Sequence, residues 1–231
     1  MKLFFIAFSV AFVAAMAMVP SPPHADPAFK VLFDGTSTAA WRGFRRDSFP
    51  DKGWVVENGA LKTVVGGDRV DLVTRDTYQD FELELEWRVS PGGNSGVFYD
   101  VSESQDEVWH TGPEMQVLDD LRHRDGKEPK TSAGSLYALI APVGKTLKPV
   151  GEFNQARLVK KGRHVEHWLN GKKVVEYELG SEPLAKLIAE SKFKDMPRFA
   201  KEGRGFVALQ HHGEEAWFRN IRIRARPAAP G

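Results

Sequence analysis

The chain contains no cysteine. Disulfides, thiolate metal ligands and a lipid-bearing cysteine are therefore excluded, and the fold must close on its hydrophobic core alone. A surplus of one charge is missing too: 32 Lys and Arg stand against 31 Asp and Glu, interspersed along the chain, for a formal net charge of +1. Nucleic acid needs a basic stripe that is not here, so it is not expected as a partner. Internal repeats, low-complexity tracts and linkers are absent as well.

Long apolar runs are also absent, with one exception at the start. Lys2 precedes an uncharged stretch from Leu3 to Val19, and Pro20-Ser21-Pro22-Pro23 then breaks any helix. A basic start, an apolar centre and a small-residue exit make a secretory signal peptide. At about 17 residues, without a basic flank, the run sits at the bottom of the range for a membrane span. Cleavage is expected after Ala17 or Ala25. We read residues 1–25 as signal peptide and 26–231 as a single domain, periplasmic or secreted, with no membrane partner after cleavage. The sequence leaves the oligomeric state open.

What is present is a series of short alternating segments between turn signals. Phe81, Leu83, Leu85, Trp87 and Val89 alternate with Glu82, Glu84, Glu86 and Arg88, the pattern of a strand buried on one face and solvated on the other. Pro91-Gly92-Gly93-Asn94 then turns the chain toward Gly96–Tyr99, read as its antiparallel partner. Asn58-Gly59 and Asn170-Gly171 each sit between two alternating runs, the signature of tight hairpins. Further strands are expected at 154–160, 206–210 and 216–223, and a short amphipathic helix over Glu182–Phe193. Many short antiparallel strands with regular turns predict an all-β sandwich. The tail after Arg224, with Pro227 and Pro230, is expected to fray.

Within this pattern the segment Gly112-Pro113-Glu114-Met115-Gln116-Val117-Leu118-Asp119-Asp120 stands out. On a strand Glu114 and Gln116 share one face while Met115 and Val117 take the other. Asp119 has the wrong parity unless a β-bulge returns it to the polar face. A carboxylate, an amide and a second carboxylate on one open sheet face suit a sugar-processing cleft; the alternative is an ordinary solvated strand.

Taken in order, the strand phrases resemble one family. They are Leu32-Phe33-Asp34-Gly35-Thr36 with Trp41, Gly53-Trp54-Val55-Val56-Glu57-Asn58-Gly59, and Phe81 to Trp87. Gly92-Gly93-Asn94-Ser95-Gly96-Val97-Phe98-Tyr99 and Glu114 to Asp119 follow. Gly134-Ser135-Leu136-Tyr137, Gly151-Glu152-Phe153-Asn154 with Arg157, His167-Trp168-Leu169-Asn170-Gly171 and Ala208-Leu209-Gln210 close the series. Over about residues 29–224 the chain resembles the 3-keto-disaccharide hydrolase domain family. That resemblance implies a concanavalin A-like jelly-roll β-sandwich with a concave sugar-binding face. It also implies action on sugars oxidised at C3, with loss of the glycosidic group. The family commonly reads Leu-Gln-Asp-His-Gly near its end; here the run is Leu209-Gln210-His211-His212-Gly213, so a histidine replaces a carboxylate.

A C3 ketone acidifies the proton at C2, and its removal opens a β-elimination at C1. Such a route needs a base, a stabiliser of oxyanion charge and an acid for the leaving oxygen. Glu114 or a histidine suits the base, and His212 or another histidine the acid. His167, in the apolar row Val165–Leu169, is a weaker candidate, since a histidine there is usually a satisfied core residue. Gln116, Asp119, Gln210, Trp109, His110, Asn94, Arg42 and Tyr137 are candidate substrate contacts. A divalent metal ion could serve as Lewis acid. No His-x-x-x-His spacing exists, so its ligands would come from separate strands.

Three function classes follow. The first is a hydrolase or lyase of 3-keto-glycosides. The second is a non-catalytic, lectin-like carbohydrate-binding module on the same fold. The third is an ordinary endoglucanase, whose acid-x-acid-x-x-acid strand Glu114-x-Gln116-x-x-Asp119 imitates with the central acid missing.

Overall fold

Two antiparallel sheets face each other in the computed structural model, which describes Met1 and residues 27–226. Apart from Met1, the expected signal peptide lies outside the described residues, as does the tail from residue 227. The larger sheet holds β1 (Lys30–Phe33), β3 (Trp54–Glu57), β4 (Ala60–Thr63), β6 (Asp80–Val89), β9 (Asn154–Lys161), β10 (His164–Leu169), β11 (Lys172–Glu178) and β13 (Ala216–Arg226). Its order is β11-β10-β9-β6-β13-β4-β3, with β1 also paired to β13. The smaller sheet holds β2 (Trp41–Gly43), β5 (Leu72–Thr74), β7 (Asn94–Val101), β8 (Glu114–Leu118) and β12 (Phe206–Leu209), in the order β2-β5-β12-β7-β8. This is a concanavalin A-like jelly-roll β-sandwich.

The sequence dictates much of this directly. Alternation along β6 sends Phe81, Leu83, Leu85, Trp87 and Val89 into the space between the sheets, where Trp41, Trp54 and Tyr99 are also fully buried. Both Asn-Gly turns have positive φ at both positions: 49° and 73° at Asn58 and Gly59, 48° and 81° at Asn170 and Gly171. That is the geometry of a two-residue turn matching the twist of its flanking strands.

Two expectations are corrected. The strand after Pro91–Asn94 is not the partner of β6: β6 pairs with β9 and β13, and β7 crosses to the other sheet to pair with β8 and β12. The outer face of β6 is not simply solvated either. Arg224 covers Glu82, Arg222 pairs with Glu84 and Arg219 with Glu86, forming a ladder of ion pairs across β6 and β13. Glu82 also takes Arg157 and ends only 5% exposed.

The helix, α1 (Glu182–Ala189), is shorter than the amphipathic pattern predicts. Ser181 Oγ caps it by accepting the Leu184 N–H at 3.3 Å. It stops at Glu190, and Ser191 Oγ then accepts the Phe193 N–H at 3.1 Å in a turn. Phe193 stacks on Phe199 with ring centroids 3.9 Å apart. This early stop takes Lys192 out of the helix and folds it over the smaller sheet.

Candidate active site

The smaller sheet carries the polar pair where alternation puts it. Met115 and Val117 enter the core; Glu114 and Gln116 face outward from β8. Asn94 from the neighbouring β7 and Gln210, just past the end of β12, join them on that face. Trp109, Tyr137, Lys192 and His212 complete the lining of a cavity of about 200 Å³. A small apolar cluster on this face, including Val73, Phe98 and Ala208, gives Trp109 a surface to pack against.

Glu114 is the centre of the site. Its carboxylate lies over Gly96 of β7, and a Cβ at Gly96 would stand 2.2 Å from Oε1. Burial pushes the carboxyl well above the usual carboxylate range; Lys192 pulls it back, while the charges of Asp71 and Asp125 push it further up. Desolvation lowers the Lys192 amine in turn, against the attraction of Glu114 and Asp125. Lys192 Nζ stands 4.3 Å from the centre of the Tyr137 ring. The Tyr137 hydroxyl donates to Asp125 Oδ2 at 3.1 Å, which holds the ring beneath the amine.

The amides divide the remaining work. Gln116 is tied back, with Nε2 donating to the Thr131 carbonyl at 3.2 Å and Oε1 accepting the Val117 N–H at 3.0 Å. Asn94 Oδ1 and Gln210 Oε1, by contrast, are buried with no hydrogen-bond partner. Orphaned acceptors at the wall of a cavity call for donors from a ligand, and sugar hydroxyls supply them. His212 is held by its own neighbour: Nδ1 lies 2.7 Å from Glu214 Oε2.

Other predicted residues lie elsewhere. His167 is buried between the sheets, with Nε2 2.9 Å from the Tyr99 hydroxyl and Nδ1 3.3 Å from the Gly134 carbonyl. Burial lowers its pKa to about 4, so it stays neutral. No bulge returns Asp119 to the polar face, because β8 ends at Leu118. Its carboxylate organises the following turn, accepting from Leu121 and Gly92 N–H groups at 3.0 and 2.7 Å. Arg42 is held by Glu103 at 2.6 and 3.0 Å. His110 packs on Trp109 outside the cavity lining. His211 turns inward, edge-on to Trp54, with its backbone N–H on Asp71.

The sequence reading missed Lys192, Asp125, His123 and Glu214. Lys192 was hidden inside the apparent helical pattern, and the others sit in turns without a motif. In two groups among the described residues one ligand atom from each side chain lies within 4.8 Å of the others: His123, His212 and Glu214, of which His212 lines the cavity, and His164, Glu166 and Glu176 on the larger sheet. A wider cleft of about 810 Å³ lies on the larger sheet's outer face, where Glu84 and Glu86 are already paired to arginines. It lacks a buried, unpaired carboxyl comparable to Glu114.

A sandwich whose cavity is lined by one carboxyl, a lysine, a histidine, amides and aromatics fits a carbohydrate-acting protein, and the comparisons make it a hydrolase. Residues 28–224 match the 3-keto-alpha-glucoside-1,2-lyase-like domain, and the chain belongs to that family. It is 35% identical to a 3-keto-disaccharide hydrolase of Bacteroides thetaiotaomicron, covering 91% of this chain and 82% of the relative. A solved protein of Parabacteroides distasonis, described as a glycosyl hydrolase, superposes with a TM-score of 0.79 at 31% identity, covering 86% of this chain and 94% of its own. A carbohydrate-binding module of Bacillus subtilis shares the fold alone, with a TM-score of 0.51 at 12% identity over 80% of this chain and 96% of its own. Among the described residues no helix is long and apolar enough to cross a membrane.

Proposed function

We propose that this protein cleaves the glycosidic bond of 3-keto-glycosides, 3-keto-disaccharides among them, by proton abstraction at C2 and β-elimination, followed by hydration. One observation carries the reading: the cavity lining contains a single carboxylate, Glu114. Ordinary glycosidases flank the scissile bond with two. Here Gln116 occupies the central acid position, and Asp119 is committed to a turn. A 3-keto substrate removes the need for the second acid, because the ketone itself acidifies the adjacent C–H.

In this route Glu114 takes the C2 proton, and the electron pair moves into the C3 carbonyl as an enediolate. Collapse of that enediolate forms the C1=C2 bond and breaks the bond from C1 to the leaving oxygen. A base serves best when its pKa lies near the working pH, which is what burial does to Glu114. Lys192, opposite it, donates to the developing oxyanion. His212, at the cavity edge, gives a proton to the leaving oxygen. Water then adds at C1 and a proton returns to C2, so the net reaction is hydrolysis. Asn94 and Gln210 accept sugar hydroxyls through their unpartnered oxygens. Trp109 and Tyr137 offer ring faces to the pyranose.

The N-terminal pattern supports export, and we place the mature protein in the periplasm or outside the cell. The substrate test is direct: incubate with 3-keto-trehalose, trehalose and a β-glucan. Turnover of the keto-sugar alone is expected. Cleavage of the β-glucan would instead make it an endoglucanase, and binding of sugar without turnover a lectin-like module.

A further inference from the structure

We infer that His123, His212 and Glu214 form a binding site for a divalent transition-metal ion of the zinc type at the edge of the Glu114 cavity. One ligand atom from each of the three lies within 4.8 Å of the others. They arrive from two separate places in the chain: His123 from the turn after β8, His212 and Glu214 from the loop between β12 and β13. Two imidazoles and one carboxylate suit zinc, whereas calcium and magnesium prefer all-oxygen cages. Three protein ligands also leave a coordination position open, as in catalytic rather than structural sites.

Position makes this more than a surface cluster. His212 itself lines the cavity, so an ion beside it faces the bound sugar. The unpartnered oxygens of Asn94 and Gln210 border the same space, and Asn94 is only 4% exposed. By contrast, the His164, Glu166 and Glu176 group already has Lys173 between its two carboxylates, 3.2 Å from Glu166 and 2.5 Å from Glu176. That cation neutralises the charge a metal would need.

Loading the ion requires one rearrangement. His123 Nδ1 accepts the Asp125 backbone N–H at 3.1 Å, which places the ring proton on Nε2. To ligate through Nε2, the ring must move its proton to Nδ1 and donate it to Asp125 Oδ1, now 4.0 Å away. The result is a carboxylate–histidine–metal relay of the kind that orients ligands in metal sites. Bound there, the ion would take His212 as a ligand and, in place of the proton that His212 gives in the metal-free protein, would supply Lewis-acid stabilisation of the leaving oxygen.

This inference rests on the proposed reading for its chemistry but not for its test. The full mature chain, stripped with a chelator, is titrated with Zn²⁺ by calorimetry, and bound metal is counted by mass spectrometry. One ion per chain is expected. His123→Ala and Glu214→Gln should each weaken binding at least tenfold, with the melting temperature of the metal-free protein within a few degrees of wild type, the scale of one lost capping bond. Asp125→Asn should weaken it by about ten- to a hundredfold, the usual effect of losing an outer partner. His164→Ala should change nothing. Sub-stoichiometric binding, undiminished binding in His123→Ala, or loss in His164→Ala alone would overturn the site. Binding with these effects but no keto-sugar turnover would leave the ion site standing and reject the substrate assignment.

Discussion

Glu114 and Gly96 are packed so that the carboxylate occupies the place of a missing side chain. A methyl group on Gly96 would meet Oε1 at 2.2 Å, Cδ at 2.8 Å and Cγ at 2.9 Å. The glycine is therefore part of the site's geometry, since any larger residue at that position moves the proposed base.

The first prediction follows from that contact. The three atoms that a Gly96→Ala methyl would meet first all belong to the flexible Glu114 side chain, so the fold should accept the change. The carboxylate, however, must shift by an ångström or so, and displacement on that scale costs about a hundredfold in rate. Steady-state kinetics on a 3-keto-glycoside, with a melting curve alongside, should show kcat falling while the melting temperature holds within a few degrees. An unchanged kcat would mean that the position of the carboxylate is immaterial.

Replacing the carboxylate tests it directly. Glu114→Gln is nearly isosteric and should keep the fold, yet lower turnover by about a hundredfold or more, the scale of general-base loss. Glu84→Gln provides the comparison. It breaks only an exposed ion pair to Arg222 on the other sheet and should stay within about threefold of wild type. Equal rates in the two variants would move the search for a base to His212.

The sandwich was legible because period-two alternation is a local signal, and β6 and β8 keep it without a break. Neither the partner of β6 nor the short strands β1, β2 and β5 could be read that way. Pairing is decided by which faces close the core, and a strand of three or four residues shows no period. The site was half legible for the same reason. Glu114, Gln116 and Gln210 follow from strand parity, whereas Lys192 reaches the cavity because Phe193 stacks on Phe199 across a turn, a tertiary event with no sequence pattern. Asp119 shows the converse: a carboxylate in a suggestive spacing was claimed by backbone N–H groups once the strand ended.

Stability should carry a histidine signature from the core. Burial lowers His167 from 6.5 to about 4, so between those values the unfolded chain binds the extra proton. Stability from this group is complete above about pH 6.5 and is lost as pH falls toward 4, by ~3 kcal/mol in all. Asp71 and Asp100, raised by burial to about 7 and about 6, have the opposite sign: they favour the folded state at low pH and lose that advantage as pH rises. Glu114, raised in the same way, adds to them, so these carboxyls outweigh the histidine in the wild-type profile, and the difference from His167→Gln is the useful quantity. Urea unfolding of both proteins from pH 4 to 7.5 should give a gap that widens with pH and levels off above 6.5. A gap independent of pH would show that His167 titrates normally.

Lys192→Met provides the last prediction, and its readout is a pH profile rather than a rate at one pH. The ammonium favours the ionised form of Glu114, so its removal must raise the Glu114 pKa further. For a base that acts as carboxylate, activity appears as pH rises through that pKa. The acid limb of kcat/KM, which reports the free enzyme, should therefore move to higher pH. Each unit of movement lowers the rate on the acid side about tenfold. The plateau should fall as well, because an oxyanion donor is lost; removing one such donor costs about a hundredfold or more in kcat. Those two effects separate the roles. A lysine that merely packs on Tyr137 would shift neither limb nor plateau, and a lysine that only contacts the oxyanion would lower the plateau with the limb unmoved. Movement of the limb toward lower pH would contradict the assignment of Glu114 as base, because loss of a neighbouring cation cannot make a carboxylic acid stronger.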